Sequence, residues 1–136
     1  MTDTIAELKA YVSGQLRTSC DPVPPKTATS RTVHLSVWTT RGRGRAIGVE
    51  LGHKSCVNLW VVSIYAPKEL PATVDVAKKV WKGSAWQDKD PDPARKGRDG
   101  ANSNLKSYEE FRTKPITRLG VQSVDDARAI FEHLFA

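Results

Sequence analysis

Cysteine is nearly absent from this sequence: Cys20 and Cys56 are the two copies in 136 residues, and neither has a Cys-x-x-Cys or Cys-x-x-His partner nearby. That argues against a disulfide scaffold, and both thiols are expected to stay reduced. Long apolar runs are missing as well. No stretch approaches the roughly 20 apolar residues that a membrane-spanning helix requires, and the opening Met1-Thr-Asp-Thr4 lacks the positive flank and apolar core of a signal peptide. A cytoplasmic protein without membrane contact is expected.

Catalytic and metal-binding inventories are equally thin. His34, His53 and His133 are dispersed, with no nucleophile beside any of them. The segment Gly97-Arg-Asp-Gly-Ala-Asn-Ser-Asn104 holds glycines, but it does not follow a strand and open a long helix as a phosphate-binding P-loop or a dinucleotide fingerprint does. The Asp88-x-Asp90-x-Asp92 series runs into Pro93 instead of the glycine and distal glutamate of a calcium loop. A metal site would require Glu50, His53, Cys56 or that aspartate series to converge, and Glu50, His53 and Asp99 are poor candidates for hydrolysis. The reading leans toward binding over catalysis, with no metal or cofactor.

What the chain does have is the composition of an ordinary globular domain, 39% hydrophobic and 26% charged, and a charge surplus of +6. At this length roughly two-thirds of the unfolded chain's surface is buried on folding, enough for one core. The surplus is concentrated in two places, residues 31–54 and 78–106, each of which carries +4. Patches of positive charge are the footprint of a polyanion binder, because each neutralised phosphate releases counterions; a solubilising surface is the bland alternative.

Periodicity orders the elements. Thr4-Ile-Ala-Glu7 is a capping box opening a helix over about 4–17, with Ile5, Leu8, Val12 and Leu16 as its stripe. A Pro-rich connector over 20–31 follows. Val33, Leu35 and Val37 then alternate with His34, Ser36 and Trp38, and Ile47, Val49 and Leu51 with Ala46, Gly48 and Glu50, which predicts a hairpin turning at Arg41-Gly-Arg-Gly-Arg45. Residues 57–65 are apolar on both parities, as in a central strand. Val74, Ala77 and Val80 or Trp81 suggest a short helix beginning next to Pro71. Residues 82–104 read as a long, basic, Trp-bearing loop. Ser107-Tyr-Glu-Glu110 is a second capping box, 116–121 a further strand, and Ser123-Val-Asp-Asp126 caps a last helix. The expectation is one α+β domain over 1–136, an antiparallel meander of 32–65 extended by 116–121 and packed by the terminal helices.

Two constellations point to a function. At the hairpin tip, Arg41, Arg43 and Arg45 alternate with glycines, so guanidinium forks can share one side of an exposed loop suited to phosphate. Trp38, just before the tip on the parity opposite the aliphatic residues, is either an exposed indole that stacks on a base or a side chain covered by a helix. In the long loop, Arg95, Lys96 and Arg98 sit with Trp81, Trp86, Asn102 and Asn104, a mixture of charge, stacking surface and amide groups for base edges. Arginines that keep a hairpin soluble, and a loop packed by its own tryptophans, are the structural readings of the same residues. Three functions are expected, in order: nucleic-acid or other polyanion binding; a protein-interaction module meeting an acidic surface, such as a regulator or inhibitor of a nucleic-acid enzyme; and a pocket for a nucleotide or small anion. In that pocket Trp81 or Trp86 would stack, Arg98 would meet the anion, and Asn102 and Asn104 would orient the polar edge against the sheet face of His34 and Trp38.

Overall fold

The computed structural model describes residues 4–25, 35–82, 85–88 and 103–136. Helix α1, Ile5–Ser19, starts where the capping box predicts. The Thr4 hydroxyl accepts from the Glu7 amide at 3.1 Å while the Glu7 carboxylate faces the Thr4 hydroxyl at 3.0 Å. Seven strands follow: β1, Cys20–Pro22; β2, Leu35–Thr40; β3, Ala46–Glu50; β4, Val57–Val62; β5, Asp75–Lys82; β6, Ala85–Asp88; and β7, Ile116–Val121. Helix α2 spans Glu109–Thr113 and α3 spans Val124–Phe135. Every pairing is antiparallel and the order is β1-β2-β3-β4-β7-β5-β6, so the expected α+β meander extended by 116–121 is the observed core of the sheet. No helix among the described residues is long and apolar enough to cross a membrane.

The sheet is covered on both faces. On one, Leu8, Val12 and Leu16 of α1 and Ala127, Ile130, Phe131 and Leu134 of α3 bury Ile47, Val49, Leu59, Val61 and Leu119. On the other, a 3-10 turn over Ser103–Ser107 and α2 bring Leu105, Tyr108 and Phe111 down onto Val37, Ala46, Trp60, Val62 and Ile116. Each fully buried aliphatic side chain contributes about 1.5–3 kcal/mol over its exposed state, so both layers hold the sheet.

Four expectations need correction. Residues 75–82, expected in a short helix, form β5, because Val76 pairs with Leu119 and Lys79 with Ile116, and the sheet ladder outweighs the accidental three-residue spacing of Val74, Ala77 and Val80. The expected loop over 82–104 contains strand β6, in which Trp86 pairs with Trp81. The expected connector over 20–31 opens as an edge strand, where Pro22 needs no second ladder partner. Finally, α2 begins one residue later than the Ser107 box implies, with Tyr108 as an N-cap that makes no side-chain capping bond.

Candidate functional site

The hairpin between β2 and β3 closes through the buried Thr40, whose hydroxyl accepts from the Arg45 amide at 3.0 Å and whose carbonyl accepts from the Gly44 amide at 2.8 Å. Gly42 and Gly44 adopt φ of 85° and 65°, the left-handed region that glycine enters without steric cost. The three arginines then part. Arg41 turns back on the end of α1, donating to the Thr18 carbonyl at 2.9 Å, the Cys20 carbonyl at 3.3 Å and the Asp21 carboxylate at 3.1 Å. Arg45 donates to the carbonyls of His133 and Leu134 at 3.1 and 3.2 Å, at the end of α3, and lies over the Tyr65 ring at 5.1 Å. Both cations thus meet the partial negative charge of a helix C-terminus. Arg43 is exposed and makes no hydrogen bond or ion pair among the described residues.

Strand direction decides what surrounds this tip. The ends of β4 and β5 and the start of β7 lie at the same end of the sheet, since Ile47 faces Val61, Val62 faces Ile116 and Ile116 faces Lys79. A 3-10 turn over Ser63–Tyr65 follows β4 there and leaves Ile64 82% exposed, the one large hydrophobic so exposed among the described residues. Beyond it, Lys68 and Lys78 line a cavity of about 450 Å³ with Ser63 and Thr117, whose hydroxyls lie 2.8 Å apart. Arg43, Arg45, Lys68 and Lys78 therefore share one end of the molecule.

Of the two readings of Trp38, an exposed stacking indole or a side chain covered by a helix, the structure has the second: the indole packs against the α1/α3 core while its Nε1 donates to Ser36 Oγ at 3.0 Å. Trp81 and Trp86 form an edge-to-face pair with centroids 5.2 Å apart, and the Lys106 ammonium sits 5.6 Å over Trp81. Trp86 packs on the α2 side of the sheet, and its Nε1 is buried with no hydrogen-bond partner among the described residues. Asn104 is half-buried in the 3-10 turn that carries Leu105. Strands β2 and β5 are four ladder steps apart, about 19 Å at the usual strand spacing, so Trp38 and Trp81 do not line one pocket. Arg95, Lys96, Arg98, Asn102 and His34 lie outside the described residues, as does Asp99.

At the opposite end of the sheet the structure gathers polar residues that sequence reasoning passed over. Register aligns Glu50, Asn58, Gly120 and Asp75 in one row across β3, β4, β7 and β5. The Trp60 indole donates to Glu50, the Asn58 amide meets His53 Nε2 at 3.1 Å, and Arg118 pairs with Asp75 at 2.8 Å. A Cβ on Gly120 would lie 3.2 Å from Asn58 Oδ1 and 3.3 Å from the Asp75 Cβ, so the row packs closely around glycine and a larger residue would have to push these neighbours aside. The legible signal was parity: Asn58 and Arg118 interrupt apolar strands on the same face. Cys56 borders this row, with its Sγ 3.8 Å from Asn58 Oδ1; burial raises its pKa, opposed by Arg118 and reinforced by Glu50 and Asp75, so the group is a thiol and not an activated thiolate. No three His, Cys, Asp or Glu side chains among the described residues are grouped to hold a metal ion.

Comparison with protein-family models, curated proteins and solved structures finds no match to this chain.

Proposed function

We propose that the protein binds nucleic acid, or a comparable polyanion, without catalysing a reaction on it, through the basic end of its sheet. One observation carries this: Arg43, Arg45, Lys68 and Lys78, from three separate segments, lie at the same end of the sheet. Arg41 and Arg45 are held in fixed positions by helix carbonyls, so the contact surface is preorganised and Arg43 is its foremost charge. The basic residues Arg95, Lys96 and Arg98 and the stacking candidates Trp81 and Trp86 belong to the same reading as additional contacts. A cytoplasmic location goes with it, where the free thiols of Cys20 and Cys56 stay reduced.

Fluorescence anisotropy with a labelled duplex and a labelled single strand, repeated across a salt series, tests the proposal. Four phosphate contacts on duplex DNA predict a slope of log K against log salt of about −3.6, and loss of Arg43 should flatten it by about 0.9. Absence of binding at low salt, or binding indifferent to salt, would remove the reading.

The exposed Ile64 favours a second reading, a docking surface for an acidic protein such as a regulated nucleic-acid enzyme, because an exposed apolar side chain at the same end of the molecule as several cations can anchor an interface. Ile64→Ser separates the two: it should weaken capture of a protein partner while leaving the oligonucleotide salt slope unchanged.

A further inference from the structure

The cavity between the segment after β4 and strand β5 carries more than a share of the basic surface. Its volume of about 450 Å³ falls in the usual range for small-ligand sites, roughly 300–1,000 Å³. Lys68 and Lys78 line it, and among the described residues no carboxylate does. A second cavity of about 380 Å³, on the α2 side of the sheet, has the reverse lining: Glu109 and Glu110, with no cation among the described residues. The first cavity's polar and apolar parts are also divided. Ser63 and Thr117 share a single hydrogen bond between two hydroxyl protons, which leaves one proton to donate to an incoming oxygen, while Leu70 and Val76 supply an apolar wall.

Two ammonium groups, a hydroxyl donor and an apolar wall suit a ligand with a compact anion at one end and a flat or apolar body at the other. We propose that this cavity binds a nucleoside phosphomonoester, its phosphate held by Lys68, Lys78 and the Ser63–Thr117 hydroxyl pair and its ring system laid on Leu70 and Val76. The choice of a nucleoside over other phosphate esters rests on the polyanion reading above. A free mononucleotide and the 5′-phosphate end of a strand present the same chemistry, and the experiment tells them apart.

Isothermal titration with adenosine 5′-monophosphate and with adenosine, beside anisotropy of matched oligonucleotides with and without a 5′-phosphate, provides the arms. If the site is real, at least one phosphorylated probe binds about tenfold or more tightly than its unphosphorylated counterpart, and Lys68→Glu removes the difference. Lys68 is exposed, so that variant should fold as the parent does; Lys78→Gln is the second variant. Preference for the mononucleotide alone assigns the site to a free nucleotide, and preference for the phosphorylated strand alone assigns it to a strand end. Equal binding of phosphorylated and unphosphorylated probes, or a preference that survives both variants, overturns the proposal. Oligonucleotide binding with the predicted salt slope but no phosphate preference would overturn the pocket and leave the polyanion reading standing, whereas mononucleotide binding without oligonucleotide binding would do the converse.

Discussion

At the 41–45 end of the sheet, guanidinium groups rest mainly on backbone carbonyls and an aromatic ring; at the 51–56 end, polar side chains meet one another. Arg41 and Arg45 rest on the ends of α1 and α3, and each helix C-terminus carries about half a negative charge in total. Such partners hold a cation in place while offsetting only part of its field; Arg41 also pairs with the Asp21 carboxylate at 3.1 Å, so Arg45 is the anchored cation that carbonyls alone offset. Glu50 with His53, at 3.8 Å, and Asp75 with Arg118, at 2.8 Å, are side-chain partners that face each other across the opposite end. The difference teaches how one small domain uses charge for two purposes. Side-chain pairs at one end join the buried Arg118 and Trp60 to the sheet's rim, where His53 and Asp75 are about half exposed, while Arg45 on its helix end and the outward Arg43 keep a positive field directed at solvent.

Substitutions can break that contrast. The largest effect is expected at the paired end: Trp60→Ala empties a fully buried site and should lower stability by about 3–5 kcal/mol in urea titrations. Replacement of Glu50 comes next, because Glu50→Leu leaves the Trp60 indole N–H buried without that acceptor, costing about 2 kcal/mol, whereas Glu50→Gln retains an acceptor oxygen and should recover most of it. At the basic end, burial pushes the Cys20 thiol up to about 11 from 9.0, with Arg41 pulling the other way. Between those values the unfolded chain has lost the proton and the folded chain has kept it. Stability should therefore be complete below pH 9 and decline by up to about 2 kcal/mol as pH rises toward 11, and Cys20→Ala should abolish that alkaline slope.

Smaller effects sharpen the comparison. Arg45→Ala removes the donors that meet the His133 and Leu134 carbonyls and should cost about 1 kcal/mol, seen as earlier fraying of α3 by hydrogen exchange. Arg43→Ala should change stability by less than about 0.5 kcal/mol while flattening the salt dependence of polyanion binding. If Arg43→Ala destabilised the fold as much as Arg45→Ala does, the division between anchored and outward cations would not hold.

Much of the fold was readable where the hydrophobic period was unambiguous. The α1 stripe of Leu8, Val12 and Leu16, and the alternation through Val37, Ile47 and Val49, each satisfy one template only. Strand β5 was not, because Val74, Ala77 and Val80 fit a helical turn while the lysines at 78 and 79 hide the two-residue period, and only pairing with β7 decides between them. Alternation in β2 was legible as two unlike faces but did not say whether both are covered: Trp38 lies under α1 and α3, whereas Val37 lies under the short 103–113 layer, which has too few apolar residues to announce itself. In the candidate site, the arginines at the tip were legible as a group but not their separate partners. Those partners lie 20 to 89 residues away in the chain, a distance at which sequence carries no pairing information.

The place of β7 between β4 and β5 bears on how the chain is made. Strands β2 to β4 emerge from the ribosome as a self-contained meander, but the outer side of β4 waits for residues 116–121, more than fifty positions later. Until they arrive, Val57, Leu59 and Val61 stand along an unpaired ladder edge, the kind of template that recruits other chains. Strand β5 waits on the same segment, since its long ladder is also to β7. A chain ending before Pro115 would leave the inner edges of β4 and β5 open where the finished sheet is continuous, and in the nascent chain solubility would depend on how fast the last strand slides between them.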